Sequence, residues 1–192
     1  MSHMAKQQHQ GDRKKKGARD NRLFTLDVFL ISAPVTEEFA ERNPTVSRII
    51  QIKGNQTLED LHYAIFDAFD REEEHLYEFQ FGKRPRDRDA ERYVLPMEMG
   101  DGVFGGFGRR RRTASDLTRT TIGSLDLVVK QAFYYWFDFG DDWWHQINVV
   151  AIDEQAPSGK YPKVTTRVGA SPPQYPDWDD EDDDEDEEDD ET

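Results

Sequence analysis

Hydrophobic and polar positions change period several times along the first half of the chain. Residues 23–32, LFTLDVFLIS, are apolar and β-prone, and they predict a buried strand. APVTEEFAERNPT follows as a long polar connector. VSRIIQIKG, 46–54, then alternates, with Val46, Arg48, Ile50 and Ile52 on one face. That pattern predicts a second strand antiparallel to the first. TLEDLHYAIFDAFD, 57–70, switches to helical spacing: Leu58, Leu61, Ile65 and Phe69 form one stripe, and His62 borders it. Thr57 and Asp60 have the spacing of a capping box. HLYEFQFG, 75–82, returns to alternation, Tyr77, Phe79 and Phe81 against Leu76, Glu78 and Gln80, and predicts a third strand ended by Gly82.

Residues 82–121 lose both periods. GKRPRDRDAERY is charged and GDGVFGGFGRRRRTAS is glycine-rich; ten basic and six acidic side chains give the stretch +4. It reads as a long insertion, mobile at its tip. Within it only RYVLPME suits a short strand, which Pro96 restricts to an edge. TIGSLDLVV, 121–129, suits a short helix, and SGKYPKVTTRVGASPPQYPDW is expected to run extended over the surface.

The most concentrated segment is FYYWFDFGDDWWHQINVV, 133–150, with eight aromatic rings besides three aspartates and a histidine. Gly140 and Asp141 suit the centre of a two-residue hairpin turn. That register would set Asp138 opposite Trp143, Trp136 opposite His145 and Tyr134 opposite Ile147. Tyr134, Trp136, Asp138, Trp143, His145, Ile147 and Val149 would then share the core face, and Phe133, Tyr135, Phe137, Trp144, Gln146 and Asn148 the wetter one. A buried imidazole or carboxylate needs a partner, so Asp138 is expected to hold His145 in one tautomer while Asp141 and Asp142 make the turn. A sharper alternative joins His62, His75, His145 and Asp138 in a metal or acid–base cluster, although their spacing matches no zinc signature.

Charge adds the tails to this picture. The net charge is −15, but residues 177–192 alone carry 14 of the 40 acidic side chains and no basic one. Without them 25 basic residues face 26 acidic ones. Residues 1–22 hold seven basic and two acidic side chains and read as a disordered basic arm; 177–192 read as a disordered acidic tail. Residues 23–176 are left as the folded domain, of α+β class: a mostly antiparallel sheet packed on one main helix, with the aromatic hairpin toward the C-terminus. There is no cysteine, which excludes disulfides and thiolate metal sites. No apolar run is long enough to cross a membrane, and the start lacks the apolar stretch of a secretory signal, so the chain is expected in the cytoplasm without membrane contact.

LHYAIFDAF, HLYEFQFG and FYYWFDFGDDWWHQI together resemble the signature of the plasmid pRiA4b ORF-three-like family, whose members are also labelled insertion-element passenger TnpR proteins. The family pattern pairs a leucine–histidine helix and His-Leu-Tyr-x-Phe with Tyr-x-Tyr-Asp-Phe-Gly-Asp-x-Trp-x-His. Asp138, Phe139, Gly140, Asp141, Trp143 and His145 match it, and Phe137 stands in place of a tyrosine. The resemblance covers roughly residues 23–176. It departs in GASPPQYPDW, which keeps Pro172 and Pro173 but lacks the cysteines, Glu-Asp and glycine pair often found there. The resemblance implies a plasmid- or mobile-element-associated α+β domain with no established biochemical activity.

Two functions follow from these residues. The first is a non-catalytic binding module, with Arg109, Arg110, Arg111 and Arg112 as candidate phosphate contacts and a protein or a nucleic acid as partner. No cofactor and no metal is expected in that case, and the oligomeric state stays open. The second is a metal-assisted hydrolase or nuclease built from His62, His75, His145 and Asp138. A nucleophile is not on offer: there is no cysteine and no serine elbow. GDGVFGGFG lacks the lysine of a phosphate-binding loop. Histidines sharing one concave pocket would favour the enzyme; histidines held apart or sealed in the core would favour the module.

Overall fold

The computed structural model describes residues 20–96 and 114–176. The basic arm up to residue 19, the glycine-rich stretch with Arg109–Arg112, and the acidic tail lie outside the described residues.

Eight strands form one sheet. They are β1 (Leu23–Ser32), β2 (Ser47–Lys53), β3 (Tyr77–Phe81), β4 (Glu91–Val94), β5 (Ser115–Asp116), β6 (Ala132–Phe137), β7 (Trp143–Asp153) and β8 (Lys163–Val168). Their spatial order is β5-β4-β3-β6-β7-β1-β2-β8. Every neighbouring pair is antiparallel except β4 with β5. Helix α1 (Glu37–Arg42) is a single capped turn and a half within the connector read as irregular. Helix α2 (Leu58–Ala68) packs on one face of the sheet, and Ile122–Leu125 form a 3-10 turn. The result is a sheet-rich α+β fold. Among the described residues no helix is long and apolar enough to cross a membrane.

Helix α2 forms where the spacing places it, for the reasons the spacing gives. Thr57 Oγ1 accepts from the Asp60 amide (3.1 Å) and Asp60 Oδ2 from the Thr57 amide (2.8 Å), which satisfies two otherwise unpaired N–H groups. Leu58, Leu61, Ile65 and Phe69 are all buried, against inward residues of the strands such as Phe24, Leu26, Ile50, Phe79 and Phe133. At the other end no basic residue sits in the last turn. Arg48 of β2 supplies the charge instead, donating from Nε to the Ala68 carbonyl at 2.8 Å, and Arg167 of β8 donates to the same oxygen at 2.6 Å.

Residues 163–168, expected to run extended over the surface, form a mostly exposed edge strand on β2. From the predicted insertion, Ala90, Tyr93, Val94 and Leu117 are buried. β4 is not the sheet edge: the two-residue β5 lies beyond it.

The register of β6 and β7 corrects the sequence reading. Phe137 faces Trp143, Trp136 faces Trp144, Tyr135 faces His145 and Phe133 faces Ile147. The connection is five residues, Asp138 to Asp142, not a two-residue turn. A shift of one residue moves a strand's side chains to the opposite face. Phe133, Tyr135 and Phe137 therefore join Trp143, His145, Ile147 and Val149 on the core face, while Tyr134, Trp136, Trp144, Gln146 and Asn148 share the other. Asp138 leaves the strand altogether.

Candidate functional site

The residues that could carry chemistry gather where α2, the 70–76 loop, β3, β6 and β7 meet. Asp138 opens the β6–β7 loop at positive φ (51°), and its Oδ1 accepts from the Gly140 and Asp141 amides at 3.0 and 3.3 Å. Those bonds, with the Asp142 amide on the Asp138 carbonyl at 2.7 Å, make the loop. Asp142, also at positive φ, accepts from Trp144 Nε1 at 2.8 Å and pairs with Arg86. Phe139 packs 4.2 Å from the Trp136 ring. The family-signature residues Asp138, Phe139, Gly140 and Asp141 thus shape one turn.

The expected Asp138–His145 bond does not form. Asp138 Oδ2 approaches His75 Nε2 instead, at 3.5 Å. His145 faces inward, edge-on to Phe69 (4.9 Å) and beside Tyr135 (5.3 Å). Neither of its ring nitrogens has a well-formed hydrogen bond; the Tyr135 backbone offers only a weak one. Burial, and then the charge of Arg71, push its pKa well below the ordinary histidine value.

His62 is sealed as well, but satisfied. It stacks on Tyr77 with ring centres 3.5 Å apart and planes within 4°. Its Nδ1 lies 2.7 Å from the Tyr135 hydroxyl and its Nε2 3.3 Å from Glu74 Oε2. A carboxylate only accepts, so Nε2 carries the proton and Nδ1 accepts from the phenol. Burial lowers the pKa of His62 to about 3. Glu74 pulls the other way, but its side chain is 54% exposed, so water screens it. The Glu74–His62–Tyr135 chain has the order of a relay, yet its phenol is shut from solvent and burial holds it well above its ordinary pKa. It is a proton-ordering network inside the core.

His75 is the one histidine of the three at the surface. Its Nε2 lies 2.8 Å from the Tyr175 hydroxyl. With Glu59, Tyr63, Glu74, Leu76, Tyr77 and Leu95 it lines a concavity of about 410 Å³. The candidate histidines are thus neighbours around Tyr135 and Phe137, but they do not point into one space. Among the described residues no three histidine or carboxylate side chains are placed to hold a metal ion. Arg109–Arg112, the candidate phosphate contacts, lie outside the described residues.

Sequence reasoning missed Glu74, Tyr135, Arg71 and Gln174. Gln174 latches the site's loop: its Oε1 accepts from the Glu72 and Glu73 amides (2.8 and 3.1 Å) and its Nε2 donates to the Glu73 carbonyl (2.9 Å). The retained Pro172–Pro173 pair, of which Pro172 is buried, leads into that latch. Only the proline pair signalled it.

A family model described as plasmid pRiA4b ORF-3-like protein matches residues 35–177. No curated protein matches the chain. Among solved structures, the fold is similar to that of a protein of unknown function from Methanosarcina mazei Go1, with a TM-score of 0.57 and 20% identity. That similarity covers 80% of this chain and 72% of the other.

Proposed function

The chain belongs to the plasmid pRiA4b ORF-3-like family, and from that premise we propose a non-catalytic binding module that takes a cationic side chain of a protein partner in the concavity beside His75. The observation that carries this reading is the fate of the histidines. His62 and His145 are sealed and neutral, so neither is available to a substrate. The accessible concave surface offers the carboxylates Glu59 and Glu74 beside the rings of Tyr63 and Tyr77, with Leu76 and Leu95 at its wall. The Tyr63 phenol is raised by burial and by those two carboxylates, as expected in a negative field. Carboxylates with aromatic faces suit a guanidinium or ammonium head, and the leucines suit its aliphatic stem. Tyr63 and Leu76 are also among the large apolar side chains left exposed.

The test is a fluorescence-anisotropy titration of the full chain with labelled peptides rich in arginine or lysine, against a glutamate-rich control. Binding of the basic peptides is expected, weakened about three- to tenfold by Tyr63→Ala and by Glu74→Gln. Glu74→Gln keeps an acceptor for His62 Nε2, so a loss reports charge and not folding. Equal binding of basic and acidic peptides, or no effect of either substitution, would refute the assignment.

A further inference from the structure

Two arginines are buried in this fold, and they are treated differently. Arg48 is 1% exposed and fully engaged. Its guanidinium donates to the Ser47, Ala68, Val168 and Gly169 carbonyls and to Ser171 Oγ, at 2.7 to 3.2 Å. Arg71, 8% exposed, lies 3.5 Å over the ring of Trp143, and its NH1 and NH2 are closed to solvent with no hydrogen-bond partner among the described residues.

The nitrogens around it are bare too. Trp143 Nε1 is buried with no partner among the described residues, and the ring nitrogens of His145 have only the weak contact to the Tyr135 backbone. Trp143 and His145 stand two residues apart on the inward face of β7. Eight buried side-chain atoms lack a partner among the described residues, and five of them belong to these three neighbours. Buried polar groups are almost always paired, so such a concentration calls for an acceptor from outside the described residues.

Charge narrows what that acceptor is. Burial lowers the Arg71 pKa only to about 10, so the group is a cation at neutral pH. Asp70, the carboxylate that acts on it, is already held by Arg167 and Ser171. Water could accept from the N–H groups but could not neutralise the charge. We infer that Arg71, Trp143 and His145 form a buried site for an oxyanion group, phosphate or carboxylate, whose oxygens accept from Arg71 NH1 and NH2 and from Trp143 Nε1. Two oxygens on one centre match the guanidinium fork. Trp143 and His145 of β7 and Arg71, just beyond the end of α2, line the site. This site is separate from the cation-binding surface and stands or falls without it.

The experiment is a nitrogen-15 NMR titration of the full chain that follows the indole N–H of Trp143, assigned by Trp143→Phe. Sodium phosphate and sodium malonate are added in separate arms, against chloride at equal ionic strength. A saturable shift of the Trp143 signal below about 10 mM is expected in at least one arm, and the arm that responds identifies the source. Arg71→Met should abolish it, and Arg71→Lys, which keeps the charge and loses the fork, should weaken it at least about tenfold. No saturable shift in either arm of the unsubstituted chain would overturn the inference, whether or not the variants fold. A shift that persists in Arg71→Met would overturn it as well.

Discussion

Acidification from pH 7 to pH 5 should cost this protein at least about 2 kcal/mol of folding stability. His62 and His145 are neutral in the folded chain, His62 with its pKa near 3 and His145 well below the ordinary value. In the unfolded chain both titrate near 6.5. A depressed folded pKa means that the unfolded state binds the extra proton. The stability is therefore fully present above about pH 6.5 and is lost as pH falls toward the folded pKa. At pH 5 an unfolded histidine gains RT ln(1 + 10^1.5), about 2 kcal/mol; His62 brings that loss in full, and His145 adds to it in the same direction. For His62 alone the loss would reach about 4 kcal/mol near pH 3. Glu74 works in the opposite sense: burial raises its carboxyl, so it does not add to the acid loss. Domains of ordinary stability have about 5–15 kcal/mol in all, so the effect is large enough to measure directly. The assay is urea unfolding followed by tryptophan fluorescence at pH 7, 6 and 5. It is repeated on the double variant His62→Gln, His145→Gln, which should lose less than about half as much between pH 7 and 5. Stability that stays flat over that range, or an equal loss in the double variant, would refute the claim that both imidazoles are neutral and sealed.

Three further outcomes test the fold around the site. Arg48→Met removes a donor from four backbone carbonyls and from Ser171, of which only the Ala68 carbonyl keeps Arg167, and should cost about 3–5 kcal/mol in chemical denaturation. Gln174→Ala removes the latch on the Glu72 and Glu73 amides; a loss of about 1–2 kcal/mol is expected, with faster amide hydrogen exchange at residues 72 and 73 than elsewhere in the chain. A chain trimmed to residues 20–176 retains every buried core residue named above, and its Tm should lie within about 3 °C of the full chain by calorimetry.

How much of this was legible from the sequence depends on the range of the interaction. Helix α2 was readable almost to its ends, because its capping box spans three residues and its apolar stripe repeats every turn. Strand β1 was readable as an apolar, β-prone run, and β2 and β3 from alternation; both are local properties, and Arg48 shared the inward face with Ile50 and Ile52 as spaced. The β6–β7 register was not. Both a two-residue and a five-residue connection fit the letters around Gly140, and they differ by one residue in pairing. Strand β3, which pairs Tyr77 with Phe137 and Phe79 with Tyr135, and β1, which pairs Leu30 with His145, lie far away in sequence and select between them. That single step took Asp138 from His145 to His75 and put Tyr135 in contact with His62. The histidines were visible as residue types, but their chemistry was decided by burial and by partners supplied from elsewhere in the chain. His62 bonds Tyr135, 73 positions away, and His75 bonds Tyr175, 100 positions away. Local spacing fixes which face a residue takes within its own element; only the packing of distant elements fixes what that face meets, and desolvation then sets the charge.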